Sequence, residues 1–231
     1  MWCKEVKVRT GYSQIDDATE GGFEVGSSII IYGPPLSGKS QFITNFAVNA
    51  ILKNEKVIYV TTNETYQQIQ SKIQKAAVEI GVPNENLIII DCYSALLSSI
   101  RDSILPPNVS FTAGPADLND LSIALRQVFQ KISGTQATIK FILDSISTFF
   151  LYNSRITLGR FLHVVTGWLR QIGIISIFAV EEGMQDEASV NTIKQFSDGF
   201  LEFSAEDQVH KVRIINLRDT KFKMGWMNID K

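Results

Sequence analysis

A short glycine-rich stretch constrains the fold of this chain more than any other part of its sequence. Residues Gly33–Ser40 read Gly-Pro-Pro-Leu-Ser-Gly-Lys-Ser and fit the pattern G-x-x-x-x-G-K-[ST]. An apolar, β-branched run at Ser28–Tyr32 precedes this stretch, and Phe42, Phe46 and Ala50 recur at helical spacing after it. Strand, loop and helix in this order are the context that the pattern requires, and they favour a sheet with helices packed on its faces.

The glycines and the two polar residues at the end of this stretch have distinct physical roles. Gly33 and Gly38 let the backbone curl until successive N–H groups face one anion, and the following helix adds its positive amino-terminal end. Lys39 can reach the β- and γ-phosphates of a nucleotide, and the Ser40 hydroxyl can ligate Mg²⁺. The predicted nucleotide-binding residues are Gly33, Pro34, Pro35, Leu36, Ser37, Gly38, Lys39, Ser40 and Gln41.

Strand-like and helix-like segments alternate along the rest of the chain. Most of the β-branched runs lack strict alternation, which is typical of strands buried on both faces. Helices between them imply right-handed β-α-β units and a mainly parallel sheet, with an antiparallel end where the last segments follow each other closely. The predicted strands are Ser28–Tyr32, Val57–Thr61, Leu87–Asp91, Lys140–Asp144, Ile174–Val180, Gly199–Phe203, Val209–Leu217 and Met224–Ile229.

Two helices are predicted in the second half of the chain. An apolar stripe from Leu118 to Ile132 predicts a helix with Asp117 as its N-cap, and Phe161–Ile172 is a further helix. The stretch from Leu105 to Pro115 is rich in turn residues, and we interpret it as an excursion within one domain.

Composition and charge limit the class of protein. The chain has 231 residues, 45% of them hydrophobic, which excludes disordered and collagen-like proteins and favours one domain over residues 1–231. Its 22 Lys and Arg against 24 Asp and Glu give a net charge of −2, without the basic excess of a dedicated nucleic-acid coat protein. Cys3 and Cys92 show no metal-ligand spacing, no secretory signal is seen, and no apolar run could span a membrane, so we expect a cytoplasmic protein.

A second nucleotide motif is indicated at Lys140–Ser147. There an apolar strand ends in an acid, Asp144, which is the usual form of a residue that holds Mg²⁺ through a water molecule. Strands also end in Asp for turn chemistry, so this motif gains its meaning from the loop at Gly33–Ser40. We therefore predict Ser40 and Asp144 as the residues that manage Mg²⁺.

Several segments together resemble a known family. Thr10–Asp17 and Gly21–Gly26 lead directly into the first strand and the glycine-rich loop, and Tyr59–Thr65 follows the second strand. Asp144–Ser147 and Ser197–Phe200 complete a pattern that resembles ATPases of the RecA superfamily, in the branch of KaiC and its archaeal relatives. The resemblance covers nearly the whole chain and implies ATP as the nucleotide, a RecA-like P-loop NTPase fold, a homo-oligomeric ring or filament, and no added DNA-binding domain.

The chain departs from that family at the position of the catalytic carboxylate. The resemblance implies two consecutive Glu residues after the second strand, the first usually assigned as the base, whereas this chain has Asn63 and Glu64. Asn63 can position a water molecule but cannot take its proton, and losing a general base typically costs about 10²–10⁴ in rate. Glu64 is either a catalytic substitute or an acid in the first turn of a helix, where the helix dipole favours it.

A second departure lies near the carboxyl terminus. The resemblance implies a Lys and an Arg, two positions apart on one strand face, that reach the γ-phosphate of the neighbouring subunit. This chain has Asn216 at the first position and Arg218 at the second. Arg218 is therefore predicted as a finger acting in trans; the alternative is a solvated Arg paired with Asp219 or Asp207.

Three functions stay open at this stage. The first is a RecA/KaiC-like protein with slow, Mg²⁺-dependent ATP hydrolysis at a subunit interface, in which Lys39, Asn63, Glu64 and Arg218 are the catalytic candidates. The second is a non-hydrolysing module that holds ATP and whose state a protein partner reads. The third is a recombination or repair accessory protein. Direct DNA binding is not expected, because the loop Glu181–Glu187 carries four acids and no basic residue.

Overall fold

Nine of the described strands form one continuous sheet, and two more form a small antiparallel pair. The computed structural model describes residues 7–77, 84–97, 106–132, 134, 138–207 and 209–229. In chain order the strands are β1 (Lys7–Val8), β2 (Phe23–Glu24), β3 (Ser28–Gly33), β4 (Lys56–Thr61), β5 (Leu87–Asp91), β6 (Val109–Phe111), β7 (Ile139–Asp144), β8 (Ile175–Glu181), β9 (Gly199–Glu206), β10 (Val209–Leu217) and β11 (Met227–Asn228).

The large sheet has the order β11-β10-β9-β3-β8-β7-β4-β5-β6. The strands from β9 to β6 pair in parallel, while β10 runs antiparallel to β9 and β11 antiparallel to β10. This confirms the predicted α/β architecture, in which a mainly parallel sheet ends in a C-terminal antiparallel hairpin. Since β8 lies between β3 and β7, the strand that leads into the glycine-rich loop is separated by one strand from the one that ends in Asp144.

Helices cover both faces of the sheet. The apolar residues of α1, α2 and α3 pack with one face in a first core, and those of α4 to α7 pack with the other face in a second core. None of the described helices combines the length and apolarity that crossing a bilayer requires. The helices are α1 (Ser13–Ala18), α2 (Lys39–Leu52), α3 (Tyr66–Ala76), α4 (Leu118–Ile132), α5 (Ile146–Tyr152), α6 (Arg155–Gln171) and α7 (Glu187–Gln195).

Side-chain caps begin both α3 and α4, and the sequence predicts the one at α4. Thr65 caps α3 in a capping box with Gln68, because each side chain accepts from the other residue's backbone N–H. The predicted cap of α4 is also present, since the Asp117 carboxylate accepts from the backbone N–H groups of Asn119 and Asp120. These caps fix where each helix leaves the carboxyl edge of the sheet.

The structure differs from the sequence-based prediction in several places, and the strand predicted at Met224–Ile229 is reduced to the two residues of β11. The turn-rich excursion contains the short edge strand β6. A strand of only three residues that follows a Pro-Pro pair gives too weak a signal to be predicted from the sequence. The helix predicted at Phe161–Ile172 begins earlier, at Arg155, after the Ser154 side chain accepts from the Thr157 N–H. β9 pairs in parallel with β3, so the antiparallel end begins only at β10. Cys3 lies outside the described residues, and Cys92 is a buried free thiol.

Candidate functional site

Four neighbouring strands bring the predicted site residues to one edge of the sheet. In spatial order, β3 ends at Gly33, β8 at Glu181, β7 at Asp144 and β4 at Thr61, all at their carboxyl ends. Ligands of open α/β sheets bind outside this edge, where loops and helix amino termini converge. The glycine-rich loop, Asp144 and Asn63 therefore share one side of the molecule, as predicted.

The loop Gly33–Ser40 has the conformation of an anion cradle. Gly38 has a φ of 91° and Leu36 a φ of 61°, so the chain turns through left-handed backbone before α2 begins at Lys39. A Cβ on Gly33 would lie 2.4 Å from the Phe203 carbonyl oxygen, so this position has room only for glycine. Within the described chain, no hydrogen bond uses the backbone N–H groups of Gly38 to Ser40 as donors. These groups are free to bind phosphate oxygens.

The Lys39 side chain is folded back over this loop. Its ammonium donates to the carbonyl oxygens of Gly33 (2.6 Å) and Pro34 (2.7 Å) and to Ser37 Oγ (3.2 Å), and it contacts Glu181 Oε2 at 3.1 Å. Burial lowers the pKa of Lys39, and the nearby Glu181 carboxylate opposes that shift. A buried cation is thus held where the motif needs one for phosphate.

Asp144 is a half-buried carboxylate at the end of β7. Its Oδ2 accepts a hydrogen bond of 2.9 Å from the Tyr59 hydroxyl, whose own pKa is raised well above its usual value by burial. Burial raises the pKa of Asp144 to about 6; the Tyr59 hydrogen bond opposes this shift, and the Glu64 charge adds to it. The Asp144–Ser145 peptide bond is cis, and the Thr62 hydroxyl accepts from the Ser145 N–H.

The donor set for a metal consists of the two predicted residues. Ser40 is exposed in the first turn of α2, and Asp144 supplies carboxylate oxygens from β7. Hydroxyl and carboxylate oxygens suit Mg²⁺, which keeps several water ligands and is usually held by one or two protein groups plus phosphates. Among the described residues, no group of three or more His, Cys, Asp or Glu side chains is placed to hold a metal ion. The residues present therefore fit an ion that is bound together with a nucleotide.

Asn63 and Glu64 lie just beyond β4 and are both engaged. The Asn63 Oδ1 accepts a hydrogen bond from the Thr148 hydroxyl, and its Nδ2 lies 3.5 Å from Ser145 Oγ. Glu64 forms an ion pair with Lys72 of α3, and its negative charge contributes to the raised pKa of Asp144. Both residues belong to the site, but the carboxylate of Glu64 is neutralised by a neighbour while the Asn63 amide faces α5.

Glu181 is the site residue that sequence reasoning missed. Its charge was interpreted as part of an acidic loop that would repel DNA, whereas the structure places its carboxylate on Lys39. Its backbone N–H also donates to Ser147 Oγ at 2.8 Å. The available signal was an acid at the end of a buried strand, the same signal that identified Asp144.

Arg218 lies at the opposite end of the sheet. It forms an ion pair of 2.6 Å with Asp198, which also binds Arg170 and accepts from the backbone N–H of Ser28, the first residue of β3. The alternative of a solvated Arg in an ion pair is correct in kind, since the side chain is 52% exposed, but among the described ion pairs its partner is Asp198 and not Asp219 or Asp207. Asn216 lies near the end of the pairing of β10, and Arg218 directly follows the final residue of that strand, Leu217. Both side chains are exposed on either side of the buried Leu217, which is consistent with the predicted placement on one face.

Comparisons with known proteins agree with this geometry. A family model described as "ATPase: KaiC" matches residues 8–230. The solved structure of a KaiC-like protein from Pyrococcus horikoshii is similar with a TM-score of 0.71 at 16% identity, over 97% of this chain and 94% of that one. This likeness confirms the predicted RecA-like fold.

Curated relatives match at the level of sequence. The circadian clock oscillator protein KaiC of Thermostichus vulcanus is 27% identical over 95% of this chain and 41% of its own length. The DNA repair protein RadA of Brucella abortus is 28% identical over 42% of this chain and 26% of its own length. The chain therefore spans less than half of the length of these curated relatives.

Proposed function

Since the chain belongs to the KaiC family of ATPases, we propose that it binds ATP in the loop Gly33–Ser40 and hydrolyses it slowly at a subunit boundary. One observation carries the proposal. The Lys39 ammonium is buried at the carboxyl edge of the sheet, over a loop whose N–H groups at Gly38 to Ser40 have no acceptor in the described chain. Such a cation beside orphaned donors suits a polyanion.

Each residue of the proposed site would have a distinct role. The loop N–H groups orient the phosphates, and Lys39 stabilises the charge that develops on the transferred group. Ser40 would hold Mg²⁺ through its hydroxyl and Asp144 through a water molecule, and the ion would supply neutralisation of the phosphate charge. Gln41, in the first turn of α2, lies at the positive end of the helix.

Slow turnover follows from the state of the two residues after β4. Asn63 can orient a water molecule but cannot accept its proton, and Glu64 is paired with Lys72. Either a water held by Asn63 or the Glu64 carboxylate sets up the attack. Arg218 of a neighbouring subunit would complete the site in a homo-oligomeric ring or filament, which requires it to leave Asp198.

The engagement of Asn63 favours a second candidate, a non-hydrolysing module. If the Asn63 amide stays bonded to Thr148 and Glu64 to Lys72, then the site binds ATP without a base, and a protein partner would read the bound state. Both candidates share the binding step and differ only in turnover.

One experiment separates them. Phosphate release from MgATP is measured over a wide range of protein concentration, with Lys39→Ala as the blank and Lys53→Ala, at the exposed other end of α2, as the matched control. Turnover per subunit that rises with concentration supports a site completed in trans. Binding of ATP without release supports the module, and a Lys39→Ala variant that binds ATP as well as the wild type contradicts both.

A further inference from the structure

The contact between Lys39 and Glu181 has a role that the functions above leave unassigned. Lys39 is 4% exposed, and its ammonium is surrounded by four acceptors: the Gly33 and Pro34 carbonyls, Ser37 Oγ and Glu181. An ammonium has three hydrogens, so it cannot bind a phosphate fully while it keeps all of these partners. A phosphate must therefore displace at least one of them.

Charge decides which acceptor leaves. The two carbonyls and the Ser37 hydroxyl are neutral and belong to the loop that wraps the phosphates. Glu181 is a carboxylate on another strand, β8, and its Oε2 is 3.1 Å from the same ammonium. A phosphate that approaches Lys39 is attracted by the ammonium and repelled by Glu181, whose side chain is 25% exposed, so that solvent screens this repulsion only in part.

We propose that Glu181 competes with the nucleotide phosphates for Lys39, so that the ion pair breaks with a triphosphate, which brings two phosphates to the ammonium, and persists with a diphosphate, which brings only one. The proposal rests on nucleotide binding in the loop Gly33–Ser40. It assigns Glu181 as a specificity-determining residue, whose charge disfavours ATP relative to ADP. The carboxylate thus reports the presence of the γ-phosphate.

The structure also connects Glu181 to an exposed segment. Ser147 Oγ accepts from the Glu181 N–H at 2.8 Å and donates to Gln185 Oε1 at 3.1 Å. Among the described contacts, Gln185 Nε2 is buried and has no hydrogen-bond partner, so this side chain is not fully held in the present arrangement. The backbone of Glu181, rather than its carboxylate, is thus connected to the turn at residues 182–185, which joins β8 to α7.

The test compares nucleotide affinities. Glu181→Gln removes the charge and keeps the volume, and Glu182→Gln removes an equal charge at the next residue, which is exposed. Calorimetry with Mg²⁺ and either ADP or a non-hydrolysable ATP analogue gives four affinities, measured beside the wild type. We expect Glu181→Gln to tighten the analogue about tenfold, equivalent to about 1.4 kcal/mol, and ADP by less than about twofold. Glu182→Gln should change neither by more than about twofold.

A second variant covers the case in which loss of the Lys39 partner unfolds the protein. Glu181→Asp keeps the charge but withdraws the carboxylate by one methylene group, and it should shift the ratio of affinities in the same direction by less.

The outcomes are distinct from those that concern the proposed function. Equal effects of Glu181→Gln and Glu182→Gln would mean that the change arises from the net charge of the site, and would overturn the proposal. Weaker binding of both nucleotides by Glu181→Gln, or an unchanged ratio of the two affinities, would also overturn it. Failure of the wild type to bind either nucleotide more tightly than Lys39→Ala would instead refute the proposed ATP site itself.

Discussion

The hydroxyl of Thr148 in α5 donates a hydrogen bond to Oδ1 of Asn63, just beyond the end of β4. Together with Ser145 Oγ, 3.5 Å from Nδ2, it fixes the amide at the position where the family resemblance implies a carboxylate. The Thr148 hydroxyl can donate equally to a carboxylate, and such a bond favours the charged form. The surroundings of Asn63 are therefore already suited to an acid.

Replacing Asn63 by Glu should raise ATP turnover at least about tenfold, because it restores a general base at this position. Single-turnover and steady-state phosphate release at saturating MgATP would measure the change. Asn63→Asp is the matched control, since it adds the charge without the extra reach. A rate for Asn63→Glu equal to that of the wild type would count against a missing base as the limiting factor.

Substitution of Asp144 by Asn should stabilise the nucleotide-free protein at neutral pH. The native pKa of Asp144 is raised from 3.8 to about 6, so the folded state holds this proton more tightly than the unfolded state. The resulting stabilisation is complete below about pH 4 and is lost as the pH rises through about 6. Above that pH the ionised carboxylate costs up to about 3 kcal/mol, at 1.36 kcal/mol per pKa unit.

Urea unfolding at pH 5 and pH 8 without nucleotide checks this expectation. Asp144→Asn should gain more free energy of unfolding at pH 8 than at pH 5. The same variant should lose the part of the ATP-induced stabilisation that depends on Mg²⁺. Equal stability of variant and wild type at pH 8 would show that the buried carboxylate carries no penalty.

Arg218→Ala should lower turnover per subunit by about 10³-fold or more at high protein concentration, if the residue acts as a finger in trans. Its stability should change little, because Asp198 keeps its hydrogen bonds to Arg170. Arg170→Ala is the matched control, since it removes the other arginine from the same carboxylate. Equal losses of turnover in both variants would mean that the Asp198 cluster is needed only for structure.

Single-stranded DNA should not bind detectably at low salt. Phosphate contacts dominate non-specific affinity, and the segment after β8 carries Glu182, Asp186 and Glu187 without a basic residue. A gel shift at about 50 mM salt is a sensitive test, because salt weakens such binding steeply. A shift that disappears on raising the salt would reopen the role in recombination or repair.

Short-range signals made much of this site predictable. Gly38, Lys39 and Ser40 follow from one motif, because a curled loop and a helix start need those residue types in that order. Asp144 follows from a buried strand that ends in an acid. The caps at Thr65 and Asp117 are equally local, since each side chain bonds to backbone within three residues.

The contacts that could not be predicted join distant parts of the chain. Lys39 and Glu181 are 142 positions apart, and Ser28 and Asp198 are 170 apart. Which strand ends become neighbours depends on the strand order of the sheet, and no single segment encodes that order. For the same reason the sequence does not show that Arg218 forms an ion pair with Asp198 rather than with the acids nearer to it along the chain.

The Asp198 cluster and the glycine-rich loop lie at the two ends of one strand. β3 runs from Ser28 to Gly33, so it separates the Ser28 N–H, which Asp198 binds, from Gly33 by about 17 Å at roughly 3.3 Å per residue. If Arg218 reaches the nucleotide of the next subunit, the length of this strand contributes to the spacing of the subunits. The distance from one nucleotide to the next along a ring or filament would then combine the length of β3 with the reach of the Arg218 side chain once it has left Asp198.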